Sequence, residues 1–302
     1  MKTIVVLTDF TNTSQHAAEF AMEIAANINA EIVLYHSFHI PKLIPEEVTV
    51  SPNTEDYSLI EKKSLIKLDR LIDELQKKYF AKNDKKAPKI TFKSDLGDLL
   101  DNVNQLSRNK KIWMMVIGEK SIKSPFSRLL NGNSTFEIIN EAVCPVLLIP
   151  EKADLKPVKT IAFATALRDS EHNSISFVKH IADIWSSNIV GIHICDEKLT
   201  VEEKVNHYQK YKEIISETNA SIRYTDFLNI DGDIAESLEK FSAKNAIDLL
   251  AIEHTKPFLF SDWFHTSIAK KIINFHKTPL LILPFVENDL KKYSLILQNT
   301  VF

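Results

Sequence analysis

Short apolar runs alternate along this chain with longer segments in which apolar residues recur at three- and four-residue intervals. Residues 4–7 (IVVL) are an apolar, β-branched run without polar alternation, a pattern typical of a strand buried on both faces. Helix-capping side chains follow at 11–14, and apolar residues then recur at helical spacing over 17–28. Residues 31–36 (EIVLYH) predict the next buried strand.

The same alternation continues as far as Pro150. The spacing predicts a long amphipathic helix over 56–79, a third strand over 89–93 and a fourth over 112–117. A helix-like segment then leads into a fifth apolar run at 146–149. Strands that alternate with helices imply βαβ units, a parallel sheet and right-handed crossovers.

The second half of the chain repeats this order. The sequence TIAFAT at 160–165 matches TIVVLT at 3–8, and the strand-like run 189–194 matches 32–37. The charged segment 151–159 between the halves contains a proline and is interpreted as a linker. The repeat predicts a duplicated α/β protein.

This duplication divides the chain into two predicted tandem domains, each a five-stranded parallel sheet of the α/β class. The first domain spans residues 1–150 and the second 158–285, and residues 286–302 form a C-terminal tail. The total of 302 residues is long enough for two domains of ordinary size.

Composition narrows the class of protein. The formal net charge is −3 and the charges are interspersed, so no nucleic-acid partner is predicted. No apolar run reaches the roughly 20 residues of a membrane-spanning helix, and the N-terminal run is too short for a signal peptide.

The two cysteines, Cys144 and Cys195, lie in apolar surroundings, as expected of free thiols in a reducing compartment. We therefore expect a cytoplasmic protein without a membrane partner.

A long polar segment follows the fourth predicted strand. The strand stops at Gly118, and a largely polar loop of about fifteen residues separates it from the next helix. Loops of this length inside compact domains are uncommon unless they have a function. This loop leaves the carboxyl end of a buried strand and enters a helix N-terminus, where α/β sheets bind ligands and where N–H groups suit an anion such as phosphate.

Four short motifs identify a family resemblance. They are the strand ending Thr8-Asp9-Phe10, the turn Leu96-Gly97-Asp98, the glycine Gly118 and the segment 144–150 (CPVLLIP). With the duplication, they make the chain similar to the universal stress protein family in its tandem form. The resemblance implies an adenine-nucleotide-binding sheet in each half, and a fifth strand, 146–149 or 280–283, at each sheet edge.

These fifth strands imply how the halves associate. Both are apolar on both faces, and an exposed edge of that kind invites pairing. The resemblance implies an intrachain pseudo-dimer through 146–149 and 280–283, while a homodimer and unknown protein partners stay open.

The resemblance also implies a nucleotide site in the first half. Members that bind ATP carry Gly-x-x-Gly, nine residues and then Gly-Ser/Thr, together with an aspartate after the first strand. Gly118 matches the first glycine, Ser121 replaces the second and Asn131 the third, and Gly132 falls at the Ser/Thr position. An adenine nucleotide such as ATP, with Mg²⁺ accompanying it, is the implied ligand. The implied site residues are Thr8, Asp9, Ser37, Ile117, Gly118, Ser121, Asn131, Gly132, Asn133 and Ser134.

Other interpretations accompany this one. Asp9 is equally well explained as a turn or helix-capping residue. In the second half Ala166 replaces the aspartate and Glu253 the glycine, so no second nucleotide is expected there. His36-x-x-His39 and His193-x-Cys195 resemble parts of metal sites, but no matching pair stands near them in sequence, and no metal site is predicted.

Three descriptions of the function of the whole chain are considered. The resemblance implies a stress-response protein. No hydrolase, P-loop or zinc-protease motif occurs, so this protein is expected to be non-enzymatic, and slow ATP hydrolysis by the first half is the weakest interpretation. The alternative is a nucleotide-independent interaction module that uses the proline-containing segment 41–52 or the C-terminal tail.

Overall fold

The computed structural model describes most of the chain as one α/β structure. The described residues are 2–38, 54–82, 86–119, 134–195, 198–216, 222–228, 233–254, 271–273 and 277–284. They contain a single sheet of ten strands in the order β3-β2-β1-β4-β5-β10-β9-β6-β7-β8. The predicted α/β class is confirmed.

The first half supplies five strands and four described helices. In chain order these are β1 (Thr3–Leu7), α1 (Asn12–Ile28), β2 (Glu31–Phe38), α2 (Thr54–Lys82), β3 (Ile90–Leu96), α3 (Leu99–Ser107), β4 (Ile112–Glu119), α4 (Ser134–Glu141) and β5 (Val146–Pro150). The strands of this half are paired in parallel, as the alternation of strands and helices predicts.

The second half follows the same order. Its described elements are β6 (Thr160–Ala164), the 3₁₀ turn Asp169–Glu171, α5 (His172–Trp185), β7 (Asn188–Cys195), α6 (Val201–Ser216), β8 (Arg223–Leu228), α7 (Ile234–Lys244), β9 (Leu249–His254) and β10 (Leu280–Pro284). Its strands are also paired in parallel. Each half therefore contains the same strand order about its own first strand.

The two halves meet in the middle of the sheet. Strands β5 and β10 pair antiparallel, with Leu280 opposite Leu148 and Leu281 opposite Leu147. All four leucines are at most 1% exposed. This pairing covers the two apolar strand edges and makes the sheet continuous across the halves.

Helices cover both faces of the sheet, and each face has an apolar core that includes residues of both halves. One core combines α1, α2, α5 and α6 with the inward side chains of the strands, and the other combines α3, α4 and α7. Specific contacts cross the junction as well. The rings of Trp113 and Phe177 lie 5.4 Å apart, and His254 Nε2 lies 2.7 Å from Asn140 Oδ1. The halves are thus packed as one body.

Some boundaries differ from the predicted ones. Strand β3 continues to Leu96, beyond the predicted end at residue 93 and into the predicted turn, because its main chain stays paired with β2 as far as Phe38. The turn is confined to Gly97, which has a φ of +124°. The predicted linker is packed rather than loose, since Ala153 and Val158 are buried in the core. Residues 41–52 and the tail 286–302 lie outside the described residues.

Candidate functional site

An open cavity of about 250 Å³ lies at the carboxyl end of the sheet in the first half. It is formed where β1, β2 and β4 end, beside the point at which the strand order reverses between β1 and β4. Open α/β sheets bind their ligands at such a switch point. The lining residues are Leu7, Thr8, Asp9, Ser14, Tyr35, His36, Ser37, Leu99, Ile117, Gly118, Glu119, Thr135 and Ile138.

Three helix N-termini converge on this cavity. Ser14 lies in the first turn of α1, Leu99 begins α3, and Thr135 is the second residue of α4. The first N–H groups of a helix have no partner inside the helix, and the helix dipole makes that end positive. The cavity therefore favours an anionic ligand.

The first side of the cavity is the turn that follows β1. Asp9 Oδ1 accepts hydrogen bonds from the Thr11 N–H (3.0 Å) and the Thr11 hydroxyl (2.5 Å). Thr8 Oγ1 lies 3.2 Å from Ser14 Oγ and accepts from the Phe10 N–H. The turn role considered for Asp9 is thus present, and its carboxylate is also exposed at the cavity.

The second side is the end of β2. The Ser37 hydroxyl donates to the Gly97 carbonyl at 2.7 Å and accepts from the Asn102 amide at 3.1 Å. These bonds hold the left-handed turn at Gly97 against the strand end. Ser37 therefore contributes to the wall through its position, while its hydroxyl is engaged within the protein.

Gly118 lies directly against the first turn of α1. A Cβ atom at this position would lie 2.3 Å from the Thr13 carbonyl oxygen and 2.7 Å from the Thr13 carbonyl carbon. No side chain fits between the strand and the first turn of the helix. The packing of β4 against α1 therefore requires a glycine at this position, whether or not a ligand is bound.

Glu119 is a site residue that the sequence interpretation missed. It follows Gly118 directly and is only 8% exposed, and its Oε2 has no hydrogen-bond partner among the described residues. Burial raises the pKa of Glu119 to about 8, and a hydrogen bond with Thr135 offsets part of that rise. At neutral pH the side chain is therefore a neutral acid, which can donate a hydrogen bond and does not repel an anion.

The folding stability should depend on the protonation of Glu119. Its folded pKa of about 8 exceeds the ordinary 4.5, so its contribution is complete below pH 4.5 and is lost as pH rises through 8. A single such group changes the free energy of unfolding by up to about 1.4 kcal/mol per pH unit inside that window. We expect Glu119→Gln to reduce the fall in stability between pH 5 and 8.5, measured by urea unfolding. If stability falls with pH as steeply in Glu119→Gln as in the unchanged chain, this assignment is contradicted. Glu171→Gln removes a second buried carboxyl group, in the other half, and provides a comparison.

The structure brings together five of the predicted site residues. Thr8, Asp9, Ser37, Ile117 and Gly118 all line the cavity. Ser134 is the first residue of α4, at the cavity end of that helix. Ser121, Asn131, Gly132 and Asn133 lie outside the described residues.

Four further polar lining residues were not among the predicted ones. His36 Nδ1 lies 2.8 Å from the Thr8 carbonyl oxygen, and the Tyr35 hydroxyl donates to Asp95. Ser14 and Thr135 complete the set. All four could have been identified from the sequence by their position, near the end of a predicted strand or in the first turn of a predicted helix. Such positions face ligands in this fold class.

The corresponding place in the second half has the same backbone geometry. Thr165 Oγ1 accepts from the Leu167 N–H, as Thr8 does from Phe10, and Leu167 and Phe10 both have positive φ values. His193 Nδ1 lies 3.0 Å from the Thr165 carbonyl oxygen, as His36 does with Thr8. The repeat thus extends to individual hydrogen bonds.

Two buried carboxyl groups occupy this place in the second half. Glu253 stands where the first half has Gly118, and it accepts hydrogen bonds from Ser174 (2.6 Å) and Ser170 (3.3 Å). Glu171 stands where the first half has Ser14, and it accepts from the Thr165 hydroxyl and the Ala166 N–H. Burial raises the pKa of both groups, to about 7 for Glu171. These side chains occupy space that is open in the first half.

The fold and this cavity define an α/β protein with an anion-favouring pocket at its switch point. Residues 1–150 match the model of the universal stress protein family. No curated protein matches the chain significantly.

Solved structures resemble the whole chain. One is a universal stress protein from Archaeoglobus fulgidus DSM 4304, with 12% identity, a TM-score of 0.68 and coverage of 94% of this chain and 98% of that chain. Another is a functionally unknown protein from Pseudomonas aeruginosa PAO1, with 12% identity, a TM-score of 0.58 and coverage of 99% and 98%. A third is the cytoplasmic domain of a prokaryotic cation chloride cotransporter, with 10% identity, a TM-score of 0.52 and coverage of 97% and 98%. At these identities the likeness establishes the fold, which different functions share.

Among the described helices, none combines the length and apolar character needed to cross a membrane.

Proposed function

We propose that this chain is a non-enzymatic stress-response protein of the tandem universal stress type, with one adenine nucleotide, ATP or a relative, bound in its first half. The second domain is residues 158–285, and β5 and β10 join the two domains as an intrachain pseudo-dimer. A cytoplasmic location and accompaniment of the nucleotide by Mg²⁺ are parts of the same proposal. The supporting observation is the cavity at the switch point of the family-matched half.

The chemistry of the cavity suits a nucleotide. Three helix N-termini offer positive ends to a phosphate chain, and Glu119 is neutral at pH 7 and so does not oppose it. Apolar side chains from Leu7, Ile117 and Ile138 offer a surface for a base. Ser121 and Asn131 to Ser134 belong in this proposal as loop donors, because their segment connects β4 with α4.

The second half is proposed to bind no nucleotide. Glu171 and Glu253 are buried where the first half is open, and each is held by two hydrogen bonds from neighbouring groups. A ligand would have to displace these side chains and leave their hydrogen-bond donors unpaired, which is costly in a buried site. One nucleotide per chain is therefore expected.

The test is calorimetric titration of the nucleotide-free protein with MgATP, with tripolyphosphate as a probe that lacks the base and ribose. We expect one MgATP per chain and weaker binding of tripolyphosphate. Asp9→Ala removes a charged hydrogen-bonding group, which is worth about 1.5–3 kcal/mol, so roughly ten- to a hundred-fold weaker binding is expected.

Two variants serve as controls for Asp9→Ala. Asp9→Asn keeps an oxygen that can accept the Thr11 hydrogen bonds, so it separates loss of charge from loss of the turn. Glu253→Gln changes a side chain that fills the corresponding region of the second half, and it should leave MgATP affinity unchanged. Absence of MgATP binding to the folded protein would refute nucleotide binding and favour the interaction-module hypothesis.

A further inference from the structure

The second half gathers four potential metal ligands at the outer end of the sheet. His193 and Cys195 lie on β7, His207 on α6 and Asp226 on β8, and one ligand atom from each lies within 4.8 Å of the others. We propose that this cluster is a structural zinc site, a role that is independent of the nucleotide cavity in the first half.

The fold explains how ligands so far apart in sequence meet. His193 and Cys195 are two residues apart on one strand and therefore face the same side. Asp226 lies directly beside His193 in the parallel pairing of β7 with β8. Helix α6 packs on this face and supplies His207, whose ring centroid lies 4.9 Å from that of His193. Only the folded chain assembles the set.

Two of the distances between ligand atoms match tetrahedral zinc coordination. Zinc bonds of about 2.0–2.1 Å to nitrogen or oxygen and 2.3 Å to sulfur place neighbouring N and O ligands about 3.3 Å apart, and S and O about 3.6 Å apart. His207 Nδ1 lies 3.3 Å from Asp226 Oδ1, and Cys195 Sγ lies 3.6 Å from the same oxygen. These two distances between ligand atoms are therefore already those expected with zinc bound.

The surrounding groups orient the ligands as they do in metal sites. His193 Nδ1 lies 3.0 Å from the Thr165 carbonyl oxygen, and a hydrogen bond donated there puts the lone pair on Nε2. The Tyr224 hydroxyl donates to Asp226 Oδ1 at 2.6 Å, and the Tyr224 ring packs 4.6 Å from that of Tyr211. Gly191 makes room for Tyr211, because a Cβ atom there would lie 2.5 Å from the Tyr211 hydroxyl.

The first half contains the same fold without the ligand set. The strand pairings place His36 and Ser94 at the positions of His193 and Asp226, and Phe38 two residues after His36 at the position of Cys195. Only the histidine is shared. The fold therefore does not require a thiol and a carboxylate here, and their presence in the second half alone points to a ligand.

Charge and ligand type identify the ion. A thiolate and a carboxylate supply two negative charges, which a divalent cation neutralises with two neutral imidazoles. Sulfur and nitrogen ligands select zinc over magnesium or calcium. Four protein ligands leave no open position, which assigns a structural role: the ion joins α6 and the edge strand β8 to β7.

The test uses the full-length protein after removal of metal by a chelator. Zinc is titrated in competition with a chromophoric chelator, and Co²⁺ serves as a spectroscopic probe of the same site. We expect one ion per chain, tetrahedral Co²⁺ bands and a thiolate-to-Co²⁺ charge-transfer band. Zinc should also slow amide hydrogen exchange in α6 and β8.

Variants assign the ligands. Cys195→Ser should abolish the charge-transfer band. His207→Ala removes a proposed ligand from a half-buried helix position and should weaken zinc binding more than a hundred-fold. This exceeds the usual cost of losing a group that only hydrogen-bonds a metal ligand. Tyr224→Phe should weaken it about ten- to a hundred-fold while the Co²⁺ spectrum is retained. His172, which is partly exposed and lies outside the cluster, provides the histidine control, and His172→Ala should leave zinc binding unchanged.

Three results would overturn the proposal. They are no stoichiometric metal binding, a Co²⁺ spectrum without the thiolate band, or Cys195→Ser and His207→Ala proteins that stay folded by circular dichroism and bind zinc as tightly as the unchanged chain. In each case the cluster would be a hydrogen-bonded network around Asp226.

Discussion

Replacing Leu148 with Asp is expected to destabilise the whole chain by about 4–5 kcal/mol or more, because it buries a carboxylate without a counter-charge. Leu148 is 0% exposed and lies opposite Leu280, at the centre of the ten-stranded sheet. Both side chains belong to a core that residues of both halves share. The damage should therefore reach both halves rather than one.

Urea unfolding and small-angle X-ray scattering test this expectation. The unchanged chain should unfold in one cooperative transition, and Leu148→Ala, which leaves a cavity, should cost about 2–5 kcal/mol. The control is Val201→Asp, because Val201 is 81% exposed and its substitution should stay within about 0.5 kcal/mol. A wild-type unfolding midpoint for Leu148→Asp would show that the β5–β10 contact does not hold the halves together.

Gly118→Ala is expected to destabilise the protein by about 1–3 kcal/mol, the usual cost of overpacking, or more. The added Cβ would lie 2.3 Å from the Thr13 carbonyl oxygen, so α1 must move away from β4. That movement also separates Thr8 from Ser14 and changes the cavity wall. We therefore expect loss of MgATP binding together with loss of stability.

Thermal unfolding and nucleotide titration measure the two effects of Gly118→Ala. Because the obstructing atoms are main-chain atoms of Thr13, the double variant Gly118→Ala/Thr13→Ala should remain as unstable as the single one. Recovery in the double variant would place the conflict in the Thr13 side chain instead. A Gly118→Ala protein of unchanged stability would contradict the packing role.

The second half shows how the fold accommodates a side chain at this position. There Glu253 replaces Gly118, and the helix after the first strand begins with the 3₁₀ turn Asp169–Glu171. The α-helix proper starts only at His172, and Ser170 and Ser174 hydrogen-bond the carboxyl group. In the first half, where this position is Gly118, the helix is α-helical from its start. In the second half, where it is Glu253, the α-helix begins only after a 3₁₀ turn.

Most of the fold could be predicted because its elements are local. The β-branched runs, the three- and four-residue spacing of apolar residues and the capping groups each act within a few residues, and the duplication repeated them in order. Boundaries that depend on a neighbour could not be predicted in the same way. Strand β3 continues to Leu96 because β2 pairs with it, which is a contact across more than fifty residues.

The candidate site was predictable only where a motif marked it. Thr8, Asp9, Ser37, Ile117 and Gly118 came from a resemblance, and the structure brings them together. Glu119 follows Gly118 directly, yet nothing in the local sequence shows that it is buried. Its pKa is raised by burial, a property of the folded environment.

The sequence by itself determined the class of elements, their order and the repeat, because periodicity and turn residues act over short distances. Only the tertiary structure decided that the fifth strands pair antiparallel, that Gly118 touches the backbone of α1, and that His207 and Asp226 meet His193 and Cys195. The reason is that burial and long-range pairing depend on which distant segments pack together, and one local pattern is compatible with several such arrangements.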